Sequence, residues 1–117
     1  MLRKTKSPVP LEFKRSGDSI VQARADVWKA QADDWQLAAS APFLDATQAS
    51  ESAELSLPKG SYTCVFQCFV QESLNGRYTF DFAVDGKPTF ADKGDVNTTP
   101  ARDDRKQFQD QFILEVK

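Results

Sequence analysis

The stretch Ser19-Ile20-Val21-Gln22-Ala23-Arg24-Ala25-Asp26-Val27-Trp28-Lys29-Ala30-Gln31-Ala32-Asp33-Asp34-Trp35-Gln36-Leu37-Ala38-Ala39 admits two readings, and the choice between them sets the architecture. From Val21 to Val27 apolar and polar residues alternate strictly, which is the period of a strand with one buried face. The polar run Gln31 to Asp34 then serves as a turn, after which Trp35, Leu37 and Ala39 resume the alternation, with Trp35 expected in the core. At helical spacing, however, Val21, Ala25, Trp28, Ala32, Trp35 and Ala39 also share a face. The segment is rich in alanine, and Ser19 with Gln22 matches a capping box. Strands here give an all-β, antiparallel two-sheet sandwich. A helix over 19–39 gives instead an α+β domain with that helix laid on an antiparallel sheet. The strand reading is preferred, because the polar turn and the renewed alternation both fit it.

Outward from this stretch the chain reads as strands. Tyr62, Cys64, Phe66, Cys68 and Val70 alternate with more polar neighbours, and Tyr78, Phe80, Phe82 and Val84 do the same. A three-residue loop, Leu74-Asn75-Gly76 with Gly76 left-handed, would pair Val70 with Phe80, Cys68 with Phe82 and Phe66 with Val84. A first strand is expected at Leu11 to Lys14, before the turn Ser16-Gly17-Asp18. Another covers Ala53, Leu55 and Leu57, and a closing strand holds Phe108, Phe112, Leu114 and Val116, with Asp110 at its frayed start. Asp45 to Ser52 and Ala91 to Lys106 lack periodicity and are expected to be loops, the second long enough to suggest function.

Between two of these strands, Leu57-Pro58-Lys59-Gly60-Ser61-Tyr62 resembles the corner of fibronectin-type and other immunoglobulin-like sandwiches, in which a tyrosine hydroxyl reaches back to upstream backbone. The likeness covers six residues. It adds to the expectation of a sandwich, immunoglobulin/fibronectin-like or jelly-roll-like, and implies no function.

A chain of 117 residues, 40% hydrophobic and 27% charged, has the size and balance of one compact domain. Residues 11–117 are expected to form it. Residues 1–10 are expected as an extended basic arm, in which Arg3, Lys4 and Lys6 would meet a partner while Pro8 and Pro10 block helix. A net charge of -2 gives no general attraction to nucleic acid or anionic lipid, and the aromatic residues are not interleaved with the basic ones as base stacking requires. No stretch is apolar for long enough to span a bilayer, and the first residues lack a secretory leader. Cytoplasm is the default compartment; a trimmed exported form would read the same.

The absence of histidine removes the commonest general base and the Ser-His and Cys-His nucleophile pairs. Carboxylate-only hydrolysis would need a pair such as Asp81 and Asp85, which read more simply as outward acids on an amphipathic strand. Cys64 and Cys68 lie on one face of a strand roughly 13 Å apart, too far for a disulfide. They read as buried free thiols of a reducing compartment. No phosphate-cradling glycine cluster is present, and Asn97-Thr98-Thr99 has meaning only in a glycosylating host.

Two groups of residues could hold a ligand. Trp28, placed opposite the core face of its strand near Arg24, can stack on a sugar or anchor a protein unless a bulge turns it inward. Asp92, Asp95, Asn97, Asp103 and Asp104 concentrate oxygen ligands of the kind calcium takes, although their spacing is not that of the helix-loop-helix calcium motif and nearby cations oppose it. The expectation is therefore a non-enzymatic protein-binding or assembly module, recognising a protein partner or itself, without a cofactor. The alternative is a carbohydrate-binding domain using Trp28 and the acidic loop 92–104, with or without calcium.

Overall fold

The computed structural model describes residues 1–71, 76–96, 98, 99, 102, 103 and 105–117, without the side chains of 98, 99, 102 and 103. Among them are eleven strands and no helix. They are β1 (Leu2–Thr5), β2 (Val9–Gly17), β3 (Ile20–Gln31), β4 (Asp34–Phe43), β5 (Ser50–Leu55), β6 (Gly60–Gln71), β7 (Arg77–Val84), β8 (Lys87–Asp95), β9 (Thr98–Thr99), β10 (Arg102–Asp103) and β11 (Lys106–Val116). The ambiguous stretch 19–39 is thus two strands and their turn. Gln31 pairs with Asp34, leaving Ala32 and Asp33 as a two-residue turn in which Ala32 takes a φ of 46°.

A five-stranded sheet, in the order β1-β11-β6-β3-β4, packs against a four-stranded sheet, β5-β2-β7-β8; β9 and β10 form a separate short hairpin. All neighbours are antiparallel except β1, which runs parallel to β11. The architecture is a two-sheet β-sandwich.

The strands expected to pair as a hairpin, β6 and β7, lie in different sheets. β6 is flanked by β3 and β11 along nearly its whole length, so both of its hydrogen-bonding edges are used. β7 lies between β2 and β8. The apolar faces still meet, but across the sandwich: Phe66 stacks on Phe82 with ring centroids 4.5 Å apart. Leu74 and Asn75 lie outside the described residues. Gly76 is left-handed at φ 56°, and a Cβ there would collide with the Val96 carbonyl. Likewise β2 and β3 do not pair across Gly17 but enter opposite sheets.

Phe13, Phe43, Phe66, Phe80, Phe82 and Phe112 are fully buried between the sheets. Burial of such side chains is worth about 1.5–3 kcal/mol each, so this phenylalanine layer is the main adhesive between sheets joined by few backbone contacts. At one open side Arg15 reinforces it. Its buried guanidinium donates to the carbonyls of Val21 and Phe43 and pairs with Glu51, bridging β2 to β3, β4 and β5. Burial lowers the Arg15 pKa.

The tyrosine corner forms. Tyr62 Oη donates to the carbonyl oxygen of Pro58 over 2.6 Å, fixing the path from β5 into β6. Three expectations are corrected at the chain's margins. The segment 1–10 is no free arm: Leu2–Thr5 pairs with Ile113–Val116, so the sandwich begins at Leu2 and not at Leu11. The stretch Ala91 to Lys106 is largely strand, with β8 running on to Asp95 and β9 pairing with β10. Asp110 is no frayed start but sits inside β11, opposite Phe66. It is exposed, with its Oδ1 accepting the Gln111 amide at 2.8 Å, on a stretch of β11 that among the described residues has no strand on its other side before Ile113.

Candidate functional site: the outer face of the five-stranded sheet

In β3 the residues Val21, Ala23, Ala25 and Val27 are buried, which sends Trp28 to the solvent side of the sheet, as its place in the alternation requires. In β4 the odd positions Ala39, Ala41 and Phe43 pair with Val27, Ala25 and Ala23 and face inward with them. Strict alternation would bring Leu37 and Trp35 inward too. They are exposed instead, at 48% and 54%. The cause is a β-bulge. Val27 pairs with Ala39, but Trp28 pairs with Leu37, so Ala38 is an extra residue and everything before it in β4 changes face. The expectation that Trp35 belongs to the core is therefore wrong.

One cross-strand row now runs over all five strands on this outer face: Leu2, Ile113, Thr63, Trp28 and Leu37, each paired with the next. Leu2 and Ile113 are as open to water as Leu37. Trp28 and Trp35, with Thr63, Val65 and Gln111, line a shallow hollow of about 590 Å³. Large side chains so aligned form a continuous apolar band of the kind that marks a contact surface.

The band has a polar border. Asp26, two residues before Trp28 on the same face and only 8% exposed, accepts from Arg24 Nε at 3.0 Å and from the Ser40 hydroxyl. Arg24 also forms an ion pair with it through its terminal nitrogen at 3.0 Å. The covered carboxylate is thereby satisfied, and Arg24 is held beside the band with its outer side in water. Cys64, near Asp26, and Cys68, further along β6, face the core as free thiols; burial pushes both up to about 12.

The other anticipated ligand residues lie elsewhere. Asp92 belongs to β8, at the far margin of the sandwich, where Tyr78 Oη donates to its Oδ2 over 3.0 Å beside Lys106 and Phe108. Asp95 ends β8 opposite Arg77. Asn97 and Asp104 lie outside the described residues, as does the side chain of Asp103. Trp28 therefore shares its face of the sheet with Arg24 but not with Asp92 or Asp95. Among the described residues no three acidic or cysteine side chains gather as metal ligands do.

Of the basic residues near the N-terminus, Arg3 is tied down. It donates to the Pro88 carbonyl at 2.6 Å and to Thr89 Oγ1 at 3.1 Å, joining β1 to β8 across the two sheets. Lys4 and Lys6 remain exposed around a hollow shared with Asp85 and Lys117. Asp81 and Asp85 do not share a face. Asp81 stands on the outer side of β7 opposite Lys14, whereas Asp85 lies in the following turn and accepts from Thr5 Oγ1. The outer side of the four-stranded sheet is polar, with Glu12 and Lys14 paired at 3.1 Å.

No family model matches the chain, and no curated protein matches it either. A search of solved structures finds a crystal structure of a domain of unknown function, DUF4425, from Bacteroides vulgatus. It is 13% identical, with 93% of this chain and 95% of that one covered and a TM-score of 0.45. At that score the likeness carries no argument.

Proposed function

We propose that this domain is a non-enzymatic protein-binding or assembly module, and that its contact surface is the outer face of the five-stranded sheet, including its edge strand β4. The observation that supports this best is the bulge at Ala38, which sets Trp35 and Leu37 on the solvent side of a strand whose residues Ala39, Ala41 and Phe43 face the core. Leaving these two large apolar side chains about half exposed forgoes roughly half of the ~1.5–3 kcal/mol that full burial of each would give. A surface that dispenses with this stabilisation is explained by a partner that covers it. Trp28 and Trp35 are rigid and amphipathic, the type of anchor that dominates protein interfaces, and the Arg24–Asp26–Ser40 group supplies the polar rim.

A photo-crosslinking residue in place of Leu37 tests the reading. It is expected to give a discrete protein adduct in extracts of the native cell, whether with another chain or with itself, and the same residue in place of Asp81 is expected to give none. Equal labelling from both faces, or none from either, would refute the proposal. A second reading, carbohydrate binding, is favoured by the two tryptophans flanking one hollow that also contains Thr63 and Gln111. Saturable binding to a glycan panel, lost in both Trp28→Ala and Trp35→Ala, would establish it in place of the first.

A further inference from the structure

We infer that β4 is a self-association edge, and that its partner is the β4 of a second copy, running antiparallel about a twofold axis between Ala38 and Ala39. This rests on the reading of the surface as an assembly face and names the partner. The other edges of the two packed sheets each carry a feature that discourages pairing. β1 is four residues long with Arg3 and Lys4. β5 is six residues long with Glu51 and Glu54. β8 has Lys87, Pro88 and Lys93 and an irregular register. The part of β11 that β1 leaves uncovered bears Lys106 and Asp110. Short length, lysine, proline, charge and bulges are the means by which sheet edges avoid one another.

β4 carries a proline, Pro42, and the bulge at Ala38, but differs from these edges in length and charge: it is ten residues long, is paired among the described residues through β3 alone, and has no ionisable side chain from Trp35 to Phe43. Its middle, Ala38-Ala39-Ser40-Ala41, is small enough for another backbone to approach closely.

The bulge fixes the register. Outward-facing positions are Trp35 and Leu37 on one side of it, and Ser40 and Pro42, paired with Asp26 and Arg24, on the other. In an antiparallel pair, residues facing each other must project from the same side of the sheet. The arrangement about Ala38 and Ala39 achieves this, setting Trp35 against Pro42 of the second copy and Leu37 against Ser40, twice over by symmetry. Pro42 offers no N–H, so one hydrogen bond is missing at each end; an indole packed on a proline ring takes its place. The pairing brings no like charges face to face, since Asp34 falls opposite Phe43. Arg24, exposed beside Pro42, stands near the second copy's Asp34 end. In the single chain Asp34 Oδ1 accepts the Trp35 amide at 2.8 Å, so a local side chain occupies an edge donor that the second copy would otherwise engage. The two apolar bands then join into one.

Sedimentation of the purified chain over a range of concentration tests this. A reversible dimer is expected, weakened about tenfold or more by Leu37→Lys or Trp35→Ala, the usual effect of removing a central anchor. Asp34→Ala is expected to strengthen it. Both weakening positions are about half exposed, so each variant folds, which circular dichroism verifies. The register is read from the double variant Leu37→Cys with Ser40→Cys. Facing strand residues have Cα atoms about 5.5 Å apart, within disulfide range, whereas two positions three apart on one strand lie about 10 Å apart and cannot bridge. Air oxidation should therefore give a reducible dimer, and Trp35→Cys with Ser40→Cys should not. A monomer at every concentration overturns the inference, and so does a dimer indifferent to residues 35 and 37. If crosslinking at residue 37 then still captures a different chain, the binding-module reading stands without it.

Discussion

Trp28 of β3 faces Leu37 of β4 on the solvent side of the sheet, while its neighbour Val27 faces Ala39 on the core side. The residue that makes both pairings possible is Ala38, and it separates a buried end of β4 from an exposed one. Deleting Ala38 leaves each pair on its own face, because Leu37 then follows Ala39 directly in ordinary alternation. The deletion is expected to fold, with Trp35 as accessible to acrylamide as before. Phe43 closes the buried end of β4 and is fully buried, so Phe43→Ala is expected to lose about 3–5 kcal/mol in urea unfolding, and Trp35→Ala at the exposed end far less.

The link between the sheets is tested at Phe66. Its ring stacks on Phe82 at 4.5 Å and on Phe90 at 5.7 Å, and lies about as close to Phe13 and Phe80. Phe66→Ala is expected to cost about 3–5 kcal/mol, and Phe66→Leu markedly less, since the leucine refills most of the space. Equal losses for the two would mean that ring stacking, not volume, holds the layer together.

Much of this fold was legible in the sequence, because alternation reports which residues face inward whatever their lateral neighbours are. It identified the inward faces of β3, β6 and β7 and the tyrosine corner, where Pro58 and Tyr62 act within one local stretch. It did not identify which strands lie side by side, because two apolar faces meet equally well as neighbours in a sheet or as opposite layers of a sandwich. Hence β6 and β7 were expected together and lie apart. Alternation alone does not reveal the exposure of Trp35, because it is unbroken on both sides of Ala38. A signal did exist: a two-residue turn at Ala32-Asp33 pairs Trp28 with Leu37 by counting alone, which contradicts an inward Leu37 and so demands a bulge. Of the candidate site, Trp28 and Arg24 were read on the face where they stand, whereas the acidic loop was joined to them only by residue type.

The thiols make a prediction about reactivity. Cys64 and Cys68 are buried in β6 among aromatic side chains, and burial raises both to about 12. The thiolate is the reactive form, so at pH 8 the folded protein should hold almost none of it. Both cysteines are expected to resist a thiol-specific reagent until urea unfolds the chain, when two equivalents react together. Rapid labelling of one thiol in the native protein would place it in a local opening of β6.

Alkaline unfolding should depend on Tyr78. Burial first, and the bond to Asp92 second, raise its hydroxyl to about 12 from the ordinary 10. Both effects favour the neutral form. Below pH 10 the tyrosine is protonated in folded and unfolded chains alike, so its contribution is intact there; between about 10 and about 12 the unfolded chain ionises first and that contribution is lost. The urea midpoint should therefore fall across this window more steeply in the wild type than in Tyr78→Phe, which lacks the titrating group but shares every lysine. Asp92→Asn should keep most of the slope, because desolvation is the larger cause. Matching slopes in wild type and Tyr78→Phe would show that the hydroxyl ionises in the folded state as readily as in the unfolded one.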